Sequence, residues 1–86
     1  MYVIIIYDVA VERVNQVRKC LNRFLIRIQN SAFEGELTMS QIEELKHQLQ
    51  KIIRERDSVI IYCFQSKKQV RREILGLEKR KLSSIL

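Results

Sequence analysis

The positions of hydrophobic and polar residues along the chain change period several times, and each change marks an element. Residues 2–7 form an apolar, mostly β-branched run with no polar interruption, the pattern of a strand buried on both faces. The run stops at Asp8. From Val11 the period lengthens: Val14, Val17, Leu21, Phe24 and Leu25 make one apolar stripe of a helix, and Arg13, Arg18, Lys19 and Arg23 fall mostly off it. Residues 26–32 predict a second strand, with Ile26, Ile28 and Ala32 opposed to Arg27, Gln29 and Ser31. Residues 33–36 then read as a turn or bulge in which Gly35 is free to take a positive φ.

A second helix is expected to start near residues 38–40, where Thr38 with Gln41 and Ser40 with Glu43 fit a capping box equally well. Its stripe is Met39, Ile42, Leu45, Leu49, Ile52 and Ile53. Asp57 and Ser58 break that pattern, residues 59–64 form another uninterrupted apolar strand, and residues 70–75 before Gly76 predict a short fifth one. The remainder, 77–86, is basic with scattered leucines and is weakly specified. The order is that of a single α+β domain over residues 1–86, a ferredoxin-like β-α-β-β-α-β sandwich with an extra C-terminal strand. It places helices on one face of an antiparallel sheet, and the strands of residues 2–7 and 59–64 are not forced to its edges. The other sheet face has no covering layer in the chain. An apolar face of that kind is best hidden against a second copy, so a homodimer is expected, with the fifth strand exchanged between copies.

Composition narrows the function. At 86 residues the chain supports one thin core, with roughly 64% of its unfolded surface buried, and no deep cleft between two domains. The 47% apolar content excludes disorder, and no apolar run approaches the roughly 20 residues of a membrane span. Without a basic leader region or cleavage site in view, a cytoplasmic protein is expected. The net charge of +6 suits a polyanionic partner as well as plain solubility. Its distribution favours nucleic acid: residues 12–29 hold five basic side chains and one acid, and residues 67–86 hold seven and two. Arg13, Arg18 and Arg23 together would give the first helix a basic face for phosphates.

Cys20 and Cys63 lack zinc-site spacing and are expected to be buried structural thiols. His47 is the single histidine, set among polar helix formers. No nucleophile–histidine pair or glycine-rich phosphate loop is available.

Certain segments, taken together, resemble one family. These are the apolar strand ending in Tyr7-Asp8, the basic helix, the stretch Arg27-Ile28-Gln29-Asn30-Ser31-Ala32-Phe33-Glu34-Gly35-Glu36-Leu37-Thr38, and Asp57-Ser58-Val59-Ile60-Ile61-Tyr62. They are similar to CRISPR-associated protein 2 over residues 1 to about 76. The resemblance implies a homodimer of CRISPR adaptation that bridges the integrase, CRISPR-associated protein 1, and holds DNA during spacer acquisition. It also implies a metal-dependent endonuclease acting on RNA or double-stranded DNA, with Asp8 as catalytic metal ligand and with Arg27 and Phe33 near the nucleic acid.

Taken alone, Asp8 equally suits a helix cap or a turn, Arg27 suits an ordinary solvated position, and Phe33 suits a core plug or an exposed stacking residue. One carboxylate is a poor divalent-cation site. A twofold axis near Asp8 would supply the second, and Mg²⁺, one per dimer, takes one or two carboxylates and keeps several waters. Two further functions fit the same residues: a non-catalytic DNA-binding scaffold of the adaptation complex, and a related ferredoxin-like ribonuclease toxin.

Overall fold

A computed structural model describes residues 1–78 of the chain. The elements are β1 (Tyr2–Asp8), α1 (Val11–Asn22), β2 (Ile26–Gln29), β3 (Ala32–Glu36), α2 (Met39–Ile52) and β4 (Ser58–Phe64), followed by a short 3₁₀ turn (Lys67–Gln69). The strands form one antiparallel sheet in the order β2-β3-β1-β4, and both helices pack on one face of it. This is the α+β, ferredoxin-like arrangement expected.

Alternation along β1 sorts its residues between the two faces. Val3, Ile5 and Tyr7 point to the helices and join Val17, Cys20, Leu21 and Leu25 from the α1 side and Ile42, Leu45 and Leu49 from α2 in the core. Ile4 and Ile6 point to the open face, where Ile6 is 41% exposed, so β1 is not buried on both sides within the chain. Strand β4 is an edge strand rather than an interior one, and its Ile60 and Tyr62 also stand on the open face. An all-apolar strand therefore reports the burial it needs in an assembly, and not a central place in its own sheet.

The segment 26–36 corrects the expected strand and turn. Residues 26–32 are not one strand: the chain reverses at Asn30 and Ser31, and 33–36 lie inside β3. The irregularity falls earlier, between Arg27 and Gln29. Gly35 pairs with Val3 and does not take a positive φ, which occurs only at Gly76 among the described residues. Its absent side chain is used for close approach, because a Cβ there would lie 2.9 Å from Leu25 Cδ2.

Helix α2 selects one of the two capping boxes. The Thr38 hydroxyl accepts from the Gln41 amide at 3.1 Å, and Gln41 Oε1 accepts from the Thr38 amide at 2.9 Å. With Thr38 as cap, Met39 becomes the first helical residue and stands 61% exposed, off the buried stripe.

Residues 70–75 form no strand of this sheet. Instead Arg72 reaches Glu34 on the open face, with Nη1 donating to Oε2 at 2.8 Å and Nη2 to Oε1, and the Glu34 side chain is 2% exposed. The last part of the basic tail, 79–86, lies outside the described residues. Cys20 is buried as expected, but Cys63 is exposed, because β4 has no neighbour on its outer side. No helix among the described residues is long and apolar enough to cross a membrane.

Candidate functional site at the end of the first strand

Asp8 is the last residue of β1 and pairs with Ser58, the first of β4. Its side chain is exposed, and among the described residues no hydrogen bond or ion pair engages it. It lines an open groove together with Ile6, Tyr7, Val14, Arg18 and Asn30. A carboxylate and a guanidinium thus share one surface, suited respectively to a hard cation and to a phosphate oxygen.

Tyr7 anchors the floor of the groove. Tyr7 is buried, donates its hydroxyl proton to the Asn30 carbonyl at 3.0 Å, and takes the Ser31 carbonyl on its own amide at 3.0 Å. These bonds tie the β2–β3 turn to β1. Burial pushes the Tyr7 hydroxyl above the usual phenol range, against the opposing field of Arg18. The Tyr7 ring packs against Phe33 with centroids 6.2 Å apart.

Asp57 holds the far side. Its carboxylate, 2% exposed, accepts from the Ala10 amide at 3.0 Å, from the Arg54 amide at 2.9 Å, and from both Nε and Nη2 of Arg13. Hydrogen bonds from Arg13 chiefly, then from the two backbone amides, outweigh burial and hold this carboxyl well below the usual range.

The basic residues proposed for nucleic acid divide accordingly. Arg18 lines the groove beside Asp8. Arg23, beyond the end of α1, donates to Gln48 Oε1 and lies 6.0 Å from the Phe24 ring centroid, at the surface. Arg27 is exposed on β2, with Nη2 at 3.4 Å from Asn30 Oδ1. Arg13 is instead taken up by Asp57, with its side chain 20% exposed. Phe33 is 0% exposed and plugs the core against Ile5 and Tyr7, so it is the core residue of its two readings and presents no ring for stacking.

Asp57 and the Arg72–Glu34 pair are the contributions that sequence reasoning missed. Asp57 registered as a break between a helix and a strand and as part of a family-like stretch, with no partner assigned to it. Arg13 lies 44 residues away, and no local spacing links them. Among the described residues, no group of three or more His, Cys, Asp or Glu side chains converges for a metal ion. A single chain offers one carboxylate at the groove, which fits Mg²⁺ only when a second copy or the substrate completes the ligands.

The family model described as CRISPR associated protein Cas2 matches residues 1–72. The chain belongs to the CRISPR associated protein Cas2 family. Among curated relatives, the CRISPR-associated endoribonuclease Cas2 of Methanothermobacter thermautotrophicus is 53% identical, over 100% of this chain and 96% of its own length. That of Pyrococcus furiosus is 49% identical over the whole of both chains. A crystal structure of cas2 superposes with a TM-score of 0.87 at 49% identity, covering 92% of this chain and 90% of that one. Streptococcus pyogenes Cas2, solved at pH 6.5, gives 0.78 at 36% identity over 88% and 100%. In this chain, Arg18 and the exposed Asp8 bring a guanidinium and a carboxylate to one groove.

Proposed function

We propose that this chain is a metal-dependent endonuclease of the CRISPR system that cleaves RNA or double-stranded DNA as a homodimer in the cytoplasm. The observation that carries the reading is the exposed carboxylate of Asp8 beside Arg18 at the mouth of one groove. Relatives about half identical to the chain bear the name endoribonuclease, which supports phosphodiester hydrolysis as the reaction. Asp8 of each copy would hold one Mg²⁺ shared across the dimer. When bound, the cation supplies charge stabilisation at a phosphodiester and an activated water. Arg18 binds and orients the phosphate, and Arg23 past the end of α1 and Arg27 on β2 supply further exposed cations. The open apolar sheet face supports the dimer, since Ile6, Ile26, Ile60 and Tyr62 would otherwise face water. As a subunit of adaptation, the dimer would bridge the integrase, CRISPR-associated protein 1, and hold DNA for spacer acquisition.

A non-catalytic DNA scaffold in the same complex is the second reading. It is favoured by the single carboxylate that one chain brings to the groove. Asp8→Asn separates the two. The nuclease reading expects cleavage of a defined RNA or duplex to be lost while binding stays within about threefold, because the arginines that hold phosphate are untouched. It also expects half a Mg²⁺ per chain at saturation. Full cleavage by the variant, freed of contaminating nuclease, would leave only the scaffold.

A further inference from the structure

The stretch that follows Asp8 has an unusual attachment. The β1–β4 ladder ends at the Asp8–Ser58 pair, and two residues later Ala10 occupies the N-cap position of α1 with φ −59° and ψ 147°. Alanine has no side chain with which to cap the helix, and α1 has no side-chain cap hydrogen bond. The Ala10 amide is held from elsewhere in the chain, by Asp57 Oδ1 at 3.0 Å. The buried carboxylate also lies near the positive end of α1, where a negative charge is favourable. Through Arg13 it grips the first turn of that helix.

Two consecutive residues, Asp57 just before β4 and Ser58 at its start, therefore bracket Asp8. Ser58 pairs with it in the ladder, and Asp57 fixes the chain two residues beyond it. The Arg54 amide and the Arg13 guanidinium are the remaining donors to Asp57, so its carboxylate has one orientation. Helix α1 carries Arg18 into the groove, and the same ion pair sets the helix against β1.

We infer that Asp57 is a positioning residue: its hydrogen bond to the Ala10 amide aims the Asp8 carboxylate, and its ion pair with Arg13 sets Arg18 beside it. The inference rests on the assignment of Asp8 as metal ligand. Fixing the backbone on both sides of Asp8 sets where its Cα–Cβ bond starts and points, and a ligand placed in advance loses less freedom on binding. Outer groups that orient a ligand typically matter by about 10–100-fold in affinity or activity.

The full chain is tested as Asp57→Ala and Asp57→Asn. The second keeps the size and shape of the side chain but drops its charge and one of its two acceptor oxygens, so it cannot hold the Ala10 amide, the Arg54 amide and Arg13 together. With a defined single-stranded RNA, both variants are expected to lose about 10–100-fold in kcat, and to bind Mg²⁺ alone correspondingly more weakly by calorimetry. In metal-free Asp57→Ala, the Val9 and Ala10 amides should exchange at least about tenfold faster. Ile42→Val, a core change in α2 away from the groove, should lower thermal stability yet keep kcat, which separates aiming from general destabilisation. Wild-type kcat and Mg²⁺ affinity in folded Asp57→Asn, beside an inactive Asp8→Asn, overturn the positioning role alone. Full cleavage by Asp8→Asn overturns the Asp8 assignment and this inference with it. Should Asp57→Ala not fold, the isosteric Asp57→Asn decides the matter by itself.

Discussion

Asp57 shows how much one buried carboxylate can organise. Its hydrogen bonds to Arg13, Ala10 and Arg54 exist only with the charged form, which is why its pKa is depressed in the folded chain. Its contribution to stability is complete above the ordinary carboxylate range near pH 4, and is lost as pH falls from there towards the depressed folded value. The gap in melting temperature between wild type and Asp57→Ala is therefore expected to be widest at pH 6–7 and to shrink on acidification below about pH 4. Phe33 carries a different weight at the same scale. With no exposed surface, its replacement by alanine should cost about 3–5 kcal/mol in urea denaturation. Loss of nucleic-acid binding in that variant would track unfolding, and Phe33→Leu, which fills most of the space, should bind as wild type does.

At the scale of elements, the C-terminal segment is the clearest case of structure that one chain leaves incomplete. Residues 70–75 join no strand of the sheet, yet Arg72 crosses the open face to the buried Glu34. The outer edge of β4 offers unpaired backbone along an apolar strand, a surface that natural sheets cover. A chain ending at Phe64 lacks both the Arg72 anchor and the strand expected to exchange. It should sediment as monomer or aggregate, and a clean, stable dimer would show that the tail does not seal the interface. The β2–β3 hairpin teaches the complementary lesson. Gly35 suggested a turn because glycine permits positive φ, but here glycine admits Leu25 against the strand.

For the whole molecule, the charge of +6 acts through its placement. Arg13 is withdrawn into the ion pair with Asp57, which leaves Arg18, Arg23 and Arg27 as the cations proposed for phosphate. Replacing those three by glutamine should weaken nucleic-acid binding at all sequences and reduce the slope of log affinity against log salt, by up to about 0.9 for each phosphate left without its cationic partner on duplex DNA. An unchanged slope would move the nucleic acid to the basic C-terminal segment. The pattern of the chain was sufficient for both helices, because burial on one face writes a period of about 3.6 directly into the sequence, and for β1 and β4, which stand out as uninterrupted apolar runs. It also exposed Asp8, as the first polar residue after an apolar strand. Three features had no local signature: the reversal at Asn30 and Ser31, the burial of Phe33, and the partnership of Asp57 with Arg13 and Ala10. Each depends on which segments the sheet order brings together from opposite ends of the chain. Hydrogen bonds between residues 44 and 47 positions apart exist only once β4 lies beside β1.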